Sequence, residues 1–218
     1  MKRLVLEKND FRGNPWESIR HWPKIQDIRL DYNQELKGPI LTEIGTLTDI
    51  KDITITGTKT GGSLPSEIGL LTNLELLAFE QSDLTGTIPF EFWTNFTKLE
   101  LLYGRYNNFR PSTIPTEVGF LTSAYAFSMQ HTNLFGTVPT EIGLLTNLHE
   151  LRLSNNYLSG TIPSEIGHMS ELRYLYMGYN YLSGTVPQEI CEIDILFSAH
   201  TVFACNIICS CCGHCISR

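Results

Sequence analysis

The chain contains no uninterrupted apolar run approaching the roughly 20 residues that a membrane-spanning helix needs. Lys2 and Arg3 near the N-terminus are not followed by an apolar segment, so MKRLVLEKND does not read as a secretory signal. Cations are sparse: 16 Lys and Arg stand against 23 Asp and Glu, a net charge of −7. They are also scattered, which excludes a nucleic-acid-binding patch. Catalytic signatures are missing as well: there is no HExxH, GxSxG, GxxxxGK or GxGxxG, and the histidines at 21, 131, 149, 168, 200 and 214 show neither ligand nor triad spacing. We therefore expect no enzyme, no cofactor and no membrane segment in this chain. Cysteine is absent until Cys191.

What fills the sequence is repetition. The stretch Leu148–Gly167, LHELRLSNNYLSGTIPSEIG, has Leu148, Leu151, Leu153, Leu158 and Ile162 at neither a helical nor a simple strand period. Moving 24 residues forward gives Leu172, Leu175, Met177, Asn180, Leu182, Gly184, Val186 and Pro187 in the same places, and moving back gives Ala124, Phe127, Met129, Thr132, Leu134, Gly136, Val138 and Pro139. Coils start at Met1, Ile25, Ile50, Leu74, Leu99, Ala124, Leu148, Leu172 and Leu196, in steps of 24 or 25 residues. A repeat of this length is one supersecondary unit that buries its apolar edge only by stacking on its neighbours.

The LxxLxLxxNxLxGxIPxEIGxLTN pattern resembles the plant-type leucine-rich repeat of receptor-like kinase ectodomains and polygalacturonase-inhibiting proteins. The resemblance spans residues 1 to about 204. It implies an α/β repeat fold: a right-handed leucine-rich-repeat solenoid of about eight to nine coils, with a parallel β-sheet on the concave side. Residues 1–204 form the solenoid in this reading and 205–218 a cysteine-rich C-terminal cap. Met1, Leu4, Leu6, Asn9, Phe11 and Gly13 already fit the template. We expect a fragment or an incomplete gene model; in the alternative, residues 14–24 with Trp16 and Trp22 fold over the exposed end.

Within a coil, LxxLxL predicts a short strand with its leucines inward. At the ninth position Asn9, Asn33, Asn107, Asn156 and Asn180, with Thr58, Ser82 and Thr132 as smaller substitutes, predict a buried polar ladder that satisfies turning backbone. Gly38, Gly62, Gly86, Gly136, Gly160 and Gly184 mark a tight turn or positive φ. Glu43, Glu67, Glu91, Glu117, Glu141, Glu165 and Glu189 recur just after the proline position, where a carboxylate favours the start of a helical turn. Residues 90–115 carry two extra residues, and a local bulge is expected there.

Cys191, Cys205, Cys209, Cys211, Cys212 and Cys215 all lie where the repeat fades, which favours a disulfide-linked end cap with Cys191 tied to the tail. Zinc held by Cys209, Cys212, Cys215 and His214 is the alternative. Asn95-Phe96-Thr97 is a glycosylation sequon, conditional on secretion. The disulfides argue for an extracellular or cell-surface location, with cytoplasmic as the alternative.

Function is expected on the concave face. Outward strand positions are plain in Asp52, Thr54, Thr56 and Gly57, then become Tyr103, Arg105, Tyr106, Gln130, His131, Arg152, Tyr174, Tyr176 and Tyr179. Tyr and Arg are the side chains enriched at binding hot spots. These residues predict a surface for a protein or peptide partner, oriented by Arg105 and Arg152. The competing reading is a scaffold segment of a longer leucine-rich-repeat receptor-like protein.

Overall fold

The computed structural model describes residues 1–193. Eight short parallel strands form one sheet: β1 (Arg3–Val5), β2 (Asp27–Arg29), β3 (Asp52–Thr54), β4 (Leu76–Ala78), β5 (Leu101–Tyr103), β6 (Ala126–Ser128), β7 (Glu150–Arg152) and β8 (Tyr174–Tyr176). Each pairs only with the strand one coil before and one coil after, so the chain is a right-handed solenoid with this sheet lining its concave side. On the other side each coil closes through a short helical turn. Six of these are 3-10 turns, Pro15–His21, Thr42–Thr46, Ser66–Leu70, Thr116–Phe120, Thr140–Leu144 and Ser164–His168; Phe90–Thr94 and Gln188–Cys191 are α-helical. Pro15–His21 packs beside Thr42–Thr46 as the ordinary turn of its coil, so it does not fold over the end.

The leucine columns are buried as the repeat requires. Leu148, Leu151, Leu153 and Leu158 have no exposed surface, nor do their successors Leu172, Leu175, Met177 and Leu182. Gly104 interrupts one column at the place held by Phe79 and Met129 in adjacent coils. A Cβ there would lie 2.5 Å from the Phe79 ring and 2.6 Å from Met129 Sδ, so the large ring in one coil requires the missing side chain in the next.

The ninth-position ladder is present. Asn156 Nδ2 donates to Met129 O at 2.7 Å and Leu153 O at 3.0 Å, while its Oδ1 accepts from Thr132 N at 3.0 Å and Leu134 N at 3.1 Å. One amide thus joins two coils through four backbone groups. Asn33, Asn107 and Asn180 repeat the pattern, and Thr58, Ser82 and Thr132 return their hydroxyls to Ile55 O, Ile55 O and Met129 O.

The glycine turns have the expected left-handed backbone, with φ +79° at Gly160, where the Thr137 methyl of the preceding coil leaves little room for a Cβ. Beyond them lies a second set of parallel pairings, and here the irregular segment acts. Leu84–Thr85 pairs back to Gly62–Ser63, whereas Ser112–Thr113 pairs forward to Leu134–Thr137, leaving a break between the two sheets. Asn108 N and Arg110 N keep bonds to Leu84 O and Gly86 O at 2.8 and 2.6 Å, so the extra residues bulge out just after them. The α-helical turn Phe90–Thr94 absorbs the other insertion, since an α-turn holds more residues than a 3-10 turn. Its Phe92 and Trp93, with Phe79, Phe96, Phe109 and Phe127, form an aromatic knot in edge and stacked contacts at 5.1–6.4 Å.

Replacing Asn156 by Ala strands two N–H groups and two carbonyls between coils. We expect a loss of about 2–4 kcal/mol in denaturant unfolding, against under about 1 kcal/mol for the exposed Asn147→Ala.

Candidate binding surface

Register across the sheet sets concave residues in rows. One row reads Arg3, Asp27, Asp52, Leu76, Leu101, Ala126, Glu150, Tyr174; the next reads Val5, Arg29, Thr54, Ala78, Tyr103, Ser128, Arg152, Tyr176. Charges in the N-terminal coils are used internally. Arg3 meets Asp27 at 2.9 Å, and Arg29 bridges Asp27 at 3.0 Å and Asp52 at 3.1 Å. Asp31 bonds the Thr54 hydroxyl and accepts from Thr56 N at 2.7 Å. The charges of this half of the face are bonded largely to one another and to neighbouring threonines.

In the C-terminal coils the rows turn aromatic. Tyr103, Tyr174 and Tyr176 are half-buried in the sheet, and Tyr106, His131 and Tyr179 are exposed at its rim. Burial raises the Tyr103 phenol above its ordinary pKa, with Glu150 adding to the effect, so it remains a neutral hydroxyl. Gln130 accepts from Ser128 Oγ at 3.3 Å. The two arginines are ion-paired: Arg105 Nε lies 2.6 Å from Glu80 Oε1, and Arg152 Nε 2.8 Å from Glu150 Oε1. Burial still raises the Glu80 carboxyl above its ordinary value, against the lowering pull of Arg105. Both guanidinium groups lie against rings, Arg105 at 5.7 Å from Tyr106 and Arg152 at 5.0 Å from Tyr176. They present planar surface with their charge already neutralised.

The rim has a feature invisible to periodicity. Lys8, Tyr32, Gly57, Gln81, Tyr106, His131, Asn155 and Tyr179 occupy equivalent positions, and all have φ between +51° and +68°. A bulky residue in this region carries strain of about 1–2 kcal/mol that glycine avoids. Gly57 shows that the coil accepts glycine here. Four of the eight are nevertheless aromatic, and the Tyr106 and His131 rings stack at 4.4 Å and 20°. Burial lowers the His131 pKa, which favours the neutral imidazole.

Beside this rim runs an open groove of about 310 Å³. Its walls are His131, Asn155 and Tyr179 on one side and Asn133, Tyr157 and Tyr181 on the other, with the ladder residues Asn156 and Asn180 as floor. Sequence reasoning missed the second wall, because those residues follow the ladder asparagine and fall outside the strand. The repeated Asn-Tyr-Leu of 156–158 and 180–182 was the available signal.

Other candidates fall elsewhere. The seven glutamates sit in the first turn of the convex helical segments. Asn95 ends Phe90–Thr94, and its half-buried Nδ2 donates to Gly69 O at 3.1 Å, a bracing contact between coils. Cys191 is disulfide-bonded; Cys205, Cys209, Cys211, Cys212 and Cys215, with the cap and zinc alternatives, lie outside the described residues. Among the described residues no group of three or more His, Cys, Asp or Glu could hold a metal, and no helix is long and apolar enough to cross a membrane.

A family model for the Leucine Rich Repeat matches residues 147–169 and 171–193. Solved structures match over nearly the whole chain. The plant peptide hormone receptor RGFR1, in complex with RGF2, superposes with a TM-score of 0.86 at 27% identity, over 93% of this chain and 32% of that one. The chain has the fold of a leucine-rich-repeat solenoid, and its last two described coils match that family's model. The Arabidopsis receptor kinase HAESA, in complex with the peptide hormone IDA and the co-receptor SERK1, gives 0.86 at 27% over 93% and 34%. The leucine-rich-repeat ectodomain of the Arabidopsis thaliana receptor kinase GASSHO1/SCHENGEN3, in complex with CASPARIAN STRIP INTEGRITY FACTOR 2, gives 0.85 at 26% over 96% and 26%. This chain spans about a third or less of the length of these three. No curated protein sequence matches it.

In this leucine-rich-repeat rim, Tyr106→Asn exchanges a strained tyrosine for a residue that tolerates positive φ. Relief of strain offsets the lost stack on His131, so we expect the unfolding midpoint to shift by less than about 1 kcal/mol.

Proposed function

We propose that this chain is a non-catalytic recognition module that holds a peptide or protein segment across the concave face of the coils starting at Leu99, Ala124, Leu148 and Leu172. The observation that carries this reading is the set of rim aromatics, Tyr106, His131 and Tyr179, kept in left-handed backbone where glycine fits without strain. A spacer coil gains nothing from that arrangement. Tyr103, Tyr174 and Tyr176 extend the aromatic surface into the sheet, and Arg105 and Arg152 add planar area without an unpaired charge to desolvate. The structures of RGFR1 with RGF2 and of HAESA with the peptide hormone IDA support a ligand of this class. The disulfide at Cys191 and the likeness to a receptor ectodomain favour an extracellular or cell-surface setting. In that compartment a glycan on Asn95 would have to be accommodated beside the Nδ2 bond to Gly69 O.

Selection of a displayed random-peptide library on the immobilised protein supplies a ligand for measurement. Arg152→Ala and Tyr176→Ala should each weaken its binding by about 1–3 kcal/mol, with circular dichroism unchanged. Lys8→Ala, at the far end of the same rim, should leave it unaltered. If neither of the first two variants alters binding, the scaffold reading replaces this one.

A further inference from the structure

The groove beside the asparagine column differs in chemistry from the sheet next to it. Its lining contains no Asp, Glu, Lys or Arg, whereas the concave rows carry Glu80, Arg105, Glu150 and Arg152. Its one titratable base, His131, is held toward the neutral form by burial. A groove without a cationic side chain gives an anionic ligand no charged partner to offset its desolvation.

What it does offer is aromatic surface. Tyr157 and Tyr181 are 50% and 66% exposed, and their rings are nearly parallel at 17°. Their centroids are 6.2 Å apart, against 4.4 Å for Tyr106 on His131, so these two rings do not seal each other's faces. Between the walls the floor has little bonding capacity. The Asn156 amide is committed to four backbone groups and Asn180 to Leu153 O, Met177 O and Leu158 N. Polar capacity therefore sits at the rim: the Asn155 side chain, the Asn133 carbonyl oxygen, whose Nδ2 is used on Phe109 O at 2.9 Å, and the two phenol hydroxyls.

We propose that this groove binds a short neutral oligosaccharide seated on the Tyr157 and Tyr181 rings. A pyranose has an apolar C–H face for a ring and hydroxyls around its edge, each both donor and acceptor, that suit a mixed amide and phenol rim. A peptide brings obligatory N–H and C=O groups that need partners of fixed kind, and the spent floor has none to give. The groove crosses three coils, about 10 Å at the spacing of paired strands, which limits the ligand to a few sugar units. This site shares His131 and Tyr179 with the rim of the proposed peptide surface and extends beyond it through Asn133, Tyr157 and Tyr181, which lie outside the sheet rows.

The test is titration of the full chain with cellotriose, xylotriose, laminaritriose and chitotriose, followed by calorimetry and NMR. At least one should bind with a dissociation constant of about 1 mM or tighter. Tyr157→Ala and Tyr181→Ala should each weaken that binding roughly tenfold, while Tyr181→Phe retains most of it. Tyr176→Ala, which damages the proposed peptide surface, should leave sugar binding intact. The proposal is overturned if none of the four sugars binds, or if binding survives the double replacement of Tyr157 and Tyr181. It is also overturned if a proline-rich peptide occupies the groove and the sugars do not.

Discussion

Stacking identical coils works only if the backbone that turns out of each strand is satisfied from inside, because no water reaches it. The ninth-position asparagine meets this constraint. Its amide donates to carbonyls of its own coil and the preceding one, and its oxygen accepts from backbone N–H groups of the preceding coil. Bonds reaching both coils fix their relative height as well as their hydrogen-bond count. Where threonine or serine replaces asparagine, as at Thr132, the neighbouring Asn156 still reaches across to supply the acceptor. At Thr132 the complete rung at Asn156 therefore compensates for the smaller side chain.

With height fixed in this way, the concave face becomes a grid on which rows are chemically independent of the core. The N-terminal coils use their grid positions to pair Arg3, Asp27, Arg29 and Asp52 with one another. These pairs centre on the buried Asp27, and they leave both arginines already engaged within the face. The C-terminal coils fill the same positions with rings and with arginines whose charge is matched by Glu80 and Glu150. One architecture thus carries a self-contained half and a half built of rigid amphipathic surface.

The aromatic irregularity lies in one segment, residues 90–115. Trp93 stands where five other coils have a glycine, Gly45, Gly69, Gly119, Gly143 and Gly167, and the ring is buried against Phe127 in the stack. The aromatic knot packs beneath the inserted residues, while β4, β5 and β6 continue in register past it. Because each coil contacts mainly its neighbours, the distortion does not propagate.

The sequence by itself determined the coil boundaries, the inward leucines, the asparagine ladder and the positive-φ glycines, because each follows from a local requirement repeated every 24 or 25 residues. It also located the bulge, since insertions break a period visibly, and it placed the concave aromatics by strand alternation. Three things were decided only by tertiary structure. The partners of Arg105 and Arg152 depend on which way long side chains turn among several carboxylates. The strain at Tyr106, His131 and Tyr179 depends on backbone torsions that every residue type at that position adopts, glycine or not. The second groove wall of Asn133, Tyr157 and Tyr181 arises where the chain leaves the strand, and the faces of that turn meet only when three coils are stacked in register.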